Sequence, residues 1–229
     1  MIDLFATQFW VAVAEIILIN ILLSGDNAVV IALACRNLPL KQRRQGIFWG
    51  VVGAIVLRIA LTFFAMSLLV LPYLKLLGGV LLVWIGIKLI AQEEREEHRV
   101  KASKRLLTAI WTIIVADLVM SLDNVMAVAA AAKGHAVLMV FGLAVSIPIV
   151  IIGSQLIMRS MERYPLVILA GGGLLGYIAG DMAIEDPVVE PWLVENAAHV
   201  ANLIPLASLV LVIAIGSWLT RRRARTAGG

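Results

Sequence analysis

Cysteine, histidine and charged residues are all scarce in this 229-residue chain, and each scarcity removes a class of function. The single cysteine, Cys35, cannot form an internal disulfide and rules out a metal site built from several cysteines. The three histidines, His98, His135 and His199, fall in a charged loop and at two turns, none with ligand spacing to a neighbour. No phosphate loop, redox motif or nucleophile–base constellation is present, so the chain is not expected to be an enzyme or to carry a permanent cofactor. The first apolar run lacks a basic leader, follows Asp3 and is longer than a signal-peptide core, so it reads as a retained span. Charged residues make up only 15% of the chain. The net charge of +4 implies no nucleic-acid partner, because the basic residues fall in clusters between apolar segments.

What is abundant is apolar sequence: 62% of residues are hydrophobic and the mean hydropathy is +0.99. A spanning helix needs about 20 mostly apolar residues. Seven such stretches are present, at about 9–34, 46–71, 73–91, 106–132, 135–158, 164–183 and 203–219. They leave no separate soluble domain, so residues 1–229 read as one all-α membrane domain in the lipid bilayer. Sixteen of the 19 basic residues cluster on one side: after spans one (Arg36, Lys41, Arg43, Arg44), three (Lys88 to Arg105), five (Arg159, Arg163) and seven (Arg221 to Arg225). The other side has only Lys75 and Lys133, with an acidic connection of Glu185, Asp186, Glu190 and Glu195. The positive-inside rule then puts the N-terminus outside and the C-terminus in the cytoplasm. Pro187, Pro191 and Trp192 suggest a short interfacial loop before the last span.

Two matching polar motifs interrupt the apolar runs. Ser24-Gly25-Asp26-Asn27 lies in the first span and Ser121-Leu122-Asp123-Asn124 in the fourth. An ionisable residue at mid-span costs about 2.5–3.5 kcal/mol on insertion scales, so it is kept where it lines a polar path. Aligning Asp26 with Asp123 sets Asn20 on Asp117 and Ser24 on Ser121. Leu77-Gly78-Gly79-Val80-Leu81-Leu82 is echoed by Ala170-Gly171-Gly172-Gly173-Leu174-Leu175, which puts Lys88 opposite Asp181. With alternating spans the copies are antiparallel. The chain therefore reads as seven transmembrane helices: a 3+3 inverted repeat (about 9–91 and 106–183) plus one C-terminal helix (about 203–219). Transporters recurrently use this plan, with the binding site between repeats near mid-membrane.

The chemistry follows from depth and spacing. Asp26 precedes Cys35, and Asp123 precedes Ala132, by nine residues each. At about 1.5 Å per residue both lie roughly 13 Å from their own exit, near the middle of a ~30 Å core. Asn20, Ser24 and Asn27 share one helix face, as do Asp117, Ser121 and Asn124, with Asp26 and Asp123 at the edges. Gly25 eases local unwinding, which frees backbone carbonyls as ligands. These are hard oxygen donors, suited to Mn²⁺, Mg²⁺ or Ca²⁺ rather than Zn²⁺ or Cu⁺. Three carboxylates here repel one another unless a divalent cation, or exchanging protons, offsets them. Ser24 or Ser121 alone would serve as helix glue, a role that three aspartates fit poorly.

Ser24-Gly25-Asp26-Asn27-Ala28 and Ser121-Leu122-Asp123-Asn124-Val125, in a chain with seven spans, resemble the TerC family of integral membrane proteins over nearly the whole length. The resemblance is strongest to its short bacterial branch of metal transporters. It implies a wider cation and amino-acid exporter group, manganese efflux, the bacterial inner membrane and a historical link to tellurite resistance. By position, the family's intramembrane acidic sites fall on Asp26, Asp117 and Asp123. Asn20 stands where TerC relatives often carry an acid. The expected function is export of a divalent cation, Mn²⁺ first, by alternating access with protons as a possible counter-ion. Asp26, Asp117 and Asp123 would bind it, with Asn20, Asn27 and Asn124 completing the shell. One rival is an exporter of amino acids or other small solutes, which would need an apolar or aromatic recess. The other is a membrane stress-complex subunit without transport, which would tolerate Asp-to-Asn changes.

Arg58 is the one basic residue buried deep in a span, near the depth of Asp26, and is expected to pair with Asp26 and tune the site's charge. Glu15 either lines the outer vestibule or reaches headgroups. Asp181 reads as part of a solvated outer loop and Lys88 as a topology anchor. Gly172, Gly176 and Gly180 predict close helix packing. Pro148 predicts a kink. The run Glu93-Glu94-Arg95-Glu96-Glu97 continues span three into solvent.

Overall fold

In lipid every backbone N–H and C=O needs a partner within the chain, so apolar runs of this length must become helices. The computed structural model describes residues 25–69, 71–91, 102–131, 136–197 and 201–227, with Trp10, Val11, Ala14 and Leu18. Side chains at 63, 65–69, 102, 123–131, 136–139 and 223–227 lie outside that description. The described residues form eight helices and no strand: α1 (Gly25–Cys35), α2 (Leu40–Leu69), α3 (Leu74–Ile90), α4 (Ala102–Ala131), α5 (Ala136–Arg163), α6 (Leu166–Ile184), α7 (Val189–Asn196) and α8 (Leu203–Ala227). Among them α2, α4, α5, α6 and α8 are long and apolar enough to cross a membrane. The protein is an all-helical, multi-pass membrane protein.

The other two expected spans are shorter. α1 is an 11-residue apolar helix, and most of the expected span before it lies outside the described residues. α3 has 17 residues, a rise of about 25 Å. Helix ends differ from the apolar limits for one reason. α2 begins at Leu40, α5 reaches Arg163 and α8 reaches Ala227, past the expected 46, 158 and 219. These extra turns carry Lys41, Arg43, Arg44, Arg159, Arg163, Arg221 and Arg222, so each helix continues into a polar layer that hydropathy does not mark. The loop expected before the last span is instead largely the two-turn α7, with Trp192 exposed on it. α5 stays assigned as helix through Pro148.

The helices pack as two groups. In one, α2 lies along α4, α1 packs on α5 and α4, and α2 also meets α5. In the other, α3 packs on α6, and α8 covers both. Contacts of α3 with α4 and of α1 with α6 join the groups. Leu33, Ile47, Leu82, Ile85, Leu89, Ile113 and Leu175 form the most deeply buried core. The second group depends on glycine. A Cβ at Gly79 would lie 2.6 Å from the Ala179 carbonyl oxygen, and one at Gly86 would lie 3.2 Å from that of Gly172. Only glycine lets two helix backbones come so close. Leu77, Val80 and Trp84 on α3, and Ile152 and Leu156 on α5, are exposed outward, as lipid-facing side chains must be.

Candidate functional site

The polar centre of the first group lies where α1, α2 and α4 meet. Asp117 sits halfway along α4 and Arg58 deep in α2, 8% and 3% exposed. The Arg58 Nη2 donates to Asp117 Oδ1 at 2.5 Å. The Ser121 hydroxyl, one turn further along α4, donates to Asp117 Oδ2 at 3.1 Å. Both carboxylate oxygens are therefore engaged, which a buried ion pair needs to offset its desolvation. Thr62 donates to the Arg58 carbonyl at 2.8 Å, so its hydroxyl stays bonded within α2.

Asn27 of α1 completes the centre from the other side. It is 5% exposed, and among the described residues neither Oδ1 nor Nδ2 has a hydrogen-bond partner. Leaving a buried polar group unmet costs about 1–3 kcal/mol, so such a group calls for a reason. It borders a cavity shared with Arg58 and Asp117, walled by Val51, Ile113 and Val150. The free space for the centre of a water-sized sphere is about 20 Å³, room for one or two waters or a bare ion. Asp26, next to Asn27, is half-buried. Its Oδ1 accepts the Asn27 N–H at 2.8 Å, and it lies within electrostatic reach of both Asp117 and Arg58.

Of the expected site residues, the structure thus brings Asn27, Asp117 and Arg58 around one cavity, with Asp26 next in sequence to Asn27 and within electrostatic reach. Asp123 and Asn124 lie on α4, six and seven residues beyond Asp117, with side chains outside the description. Asn20 and Glu15 lie outside the described residues altogether, as do His98, His135, His199 and 93–97. Among the described residues no three His, Cys, Asp or Glu side chains gather as a metal cluster. Arg58, expected beside Asp26, makes its ion pair with Asp117, since α2 lies along α4, and Asp26 stays within its electrostatic reach. Lys88 rests over the Trp84 ring at 4.8 Å, away from this centre.

A second polar junction was not foreseen. Asp186, expected in a solvated loop, is fully buried. Its Oδ1 accepts the N–H groups of Tyr73 at 3.2 Å and Val188 at 3.0 Å, and its Oδ2 that of Leu76 at 3.2 Å. One carboxylate thus serves the starts of α3 and α7. Burial works against its charge, but the N–H groups of Val188, Leu76, Tyr73 and Lys75 outweigh this and hold it below its ordinary range. Lys75 adds an ion pair to Glu185 at 3.0 Å. Tyr73, at φ 65°, is held in the left-handed region at the start of α3. The available signal was an Asp followed by Pro187 ahead of a helix, a capping pattern.

A bundle of membrane helices that buries an ion pair beside an unmet amide defines a class: polytopic membrane proteins with a polar intramembrane site. The integral membrane protein TerC family matches residues 5–224, and the chain belongs to that family. It is 43% identical over 206 residues to the uncharacterized membrane protein YjbE of Bacillus subtilis, covering 90% of this chain and 94% of that one. It is 29% identical over 143 residues to the uncharacterized membrane protein YceF of the same organism, covering 58% and 56%. It is also 29% identical over 175 residues to the inner membrane protein YgdQ of Escherichia coli, covering 69% and 73%. No solved structure matches the chain.

Proposed function

We propose that this protein moves a divalent metal cation, with Mn²⁺ the first candidate, across the bacterial inner membrane, outward from the cytoplasm. One observation carries the reading: the buried Asn27 amide, with both polar atoms unmet, borders the Arg58–Asp117 pair beside Asp26. Charge bookkeeping supports it. Arg58 pairs with Asp117, and three aspartates (Asp26, Asp117, Asp123) against one arginine carry a net charge of −2, the complement of one divalent cation or two protons. Asn20 stands opposite Asp117 in the repeat, and α5 has no arginine like Arg58, since Arg159 and Arg163 lie in its last turns. Each repeat thus supplies one member of the pair, Arg58 from the first and Asp117 from the second, without its mirror. Asp26 and Asp123 would bind the ion, Asn27 and Asn124 would add amide oxygens, and Asn20 would do so from the first repeat.

Packing supports the inverted repeat of seven spans. Exchanging α1 with α4, α2 with α5 and α3 with α6 turns the α2–α4 contact into α5–α1, and the α3–α4 contact into α6–α1; all four occur. The contact of Gly79 with Ala179 becomes that of Gly172 with Gly86, which occurs too. Such a two-fold plan suits alternating access around a central site, with the N-terminus outside and the C-terminus inside by the basic clusters. A space of about 20 Å³ favours an ion over an amino acid. The test is the Mn, Mg, Ca, Fe and Zn content of metal-challenged cells with and without the protein, and with Asp26→Asn. Lower Mn only with the intact protein is expected; unchanged contents for all five metals would overturn the reading. Normal metal content with Asp26→Asn would favour the non-transporting subunit.

A further inference from the structure

A second cavity lies between the basic ends of α2 and α5, with about 140 Å³ free to the centre of a water-sized sphere. Arg43 and Arg44 border it from α2, and Arg159 and Gln155 from α5. Its floor is apolar: Ile47 and Met158, 1% and 2% exposed. No carboxylate lines it. Glu162 stands beside it and accepts from Arg43 Nη1 at 2.7 Å, while Arg43 Nη2 donates to the Arg36 carbonyl at 2.8 Å. These bonds fix the Arg43 guanidinium and leave its buried Nε without an acceptor among the described residues. Neither Arg44 nor Arg159 is in an ion pair among the described residues.

We infer that this cavity holds the phosphate of an anionic phospholipid, with the lipid's glycerol and upper acyl carbons on the Ile47–Met158 floor. Three arginines against one glutamate leave a net positive recess, and basic recesses between membrane helices on the cytoplasmic side bind anionic headgroups. Basic residues that only set topology would need neither a recess nor an inward, unmet donor. Phe48 and Trp49, exposed on the adjoining turn of α2, and Tyr164 just past α5 put the recess at interfacial depth, where such aromatics collect. Continuity of the polar rim with an apolar floor selects a lipid over a free anion, which would gain nothing from Ile47 and Met158.

The test is thermal unfolding of the purified protein in detergent micelles doped with phosphatidylglycerol, with phosphatidylcholine, or given inorganic phosphate. Phosphatidylglycerol at about ten times its half-saturating level should raise the melting temperature by about 3–6 °C. Phosphatidylcholine and phosphate should give less than a third of that shift. Arg44→Gln with Arg159→Gln should melt like the parent without lipid, since neither arginine is paired, and should lose most of the lipid-dependent rise. Each single change should lose part of it, which keeps the test open if the double variant folds poorly. Equal protection by phosphate would overturn the lipid as ligand. Equal protection by phosphatidylcholine, or undiminished protection of the variants, would overturn the site.

Discussion

The two helix groups solve the same problem, burial in lipid, by opposite means. The group of α1, α2, α4 and α5 buries polarity: an ion pair, a hydroxyl and an unmet amide around a small cavity. The group of α3, α6 and α8 buries backbone against backbone through Gly79, Gly86, Gly172, Gly176 and Gly180. In the first, van der Waals contact is given up to make room for chemistry. In the second, side chains are given up to gain contact. On the proposed function, the first group carries transport and the second support: substitutions in one should change what the protein does, and in the other whether it persists.

Four outcomes would break or sharpen that division. The largest effect is expected from Asp26→Asn or Asp123→Asn. Metal efflux should fall to the level of cells lacking the protein while its membrane amount holds, since removing a mid-span charge eases insertion. Residual efflux near the parent rate would break the assignment of the first group to function. Next, Asp117→Asn should destabilise the protein by about 3–5 kcal/mol, because it removes one partner of a buried ion pair. Adding Arg58→Met should recover much of that loss, and strictly additive unfolding energies would show that the pair is not coupled. Gly79→Val should cost about 1–3 kcal/mol by overpacking against Ala179, with metal affinity of the folded fraction unchanged; an altered affinity would blur the division. The smallest effect belongs to Asp186→Ala, about 0.5–2 kcal/mol as for a lost helix cap. Because the folded protein holds the Asp186 carboxyl below its ordinary value of 3.8, this contribution is present above that pH. It fades as pH falls through the lower folded value. Melting curves of parent and variant should therefore differ at pH 6 and converge in strong acid.

Much of this arrangement was legible beforehand. Apolar runs located the helices, because in lipid length and hydropathy leave one backbone solution. The spacing of Asp117 and Ser121, four apart, set them on one face, where the hydroxyl now meets the carboxylate. Depth put Arg58 near Asp26, which was expected as its partner, and gave no sign of the pair with Asp117. That pair depends on which helix α2 lies along, a tertiary fact without a local signature. Asp186 was misplaced for a related reason. Its neighbours Glu185 and Glu190 are exposed, so composition reads the segment as solvated. Its burial comes from α3, whose first turn lies more than a hundred residues earlier. The lipid recess was hidden because its arginines already had a sufficient role in topology, and only the cavity between them shows an excess.

The bonds from Tyr73 and Leu76 to Asp186 reach across 113 and 110 residues, and they impose an order on the protein's birth. When α3 leaves the ribosome its first turn has no capping carboxylate, and Tyr73 has no partner to hold its left-handed backbone. At roughly 5–20 residues per second, synthesis supplies Asp186 on the order of ten seconds later. Until then the N-terminal half sits in the membrane with its α3 start unfinished, and the contact that finishes it comes only after α6 has been inserted.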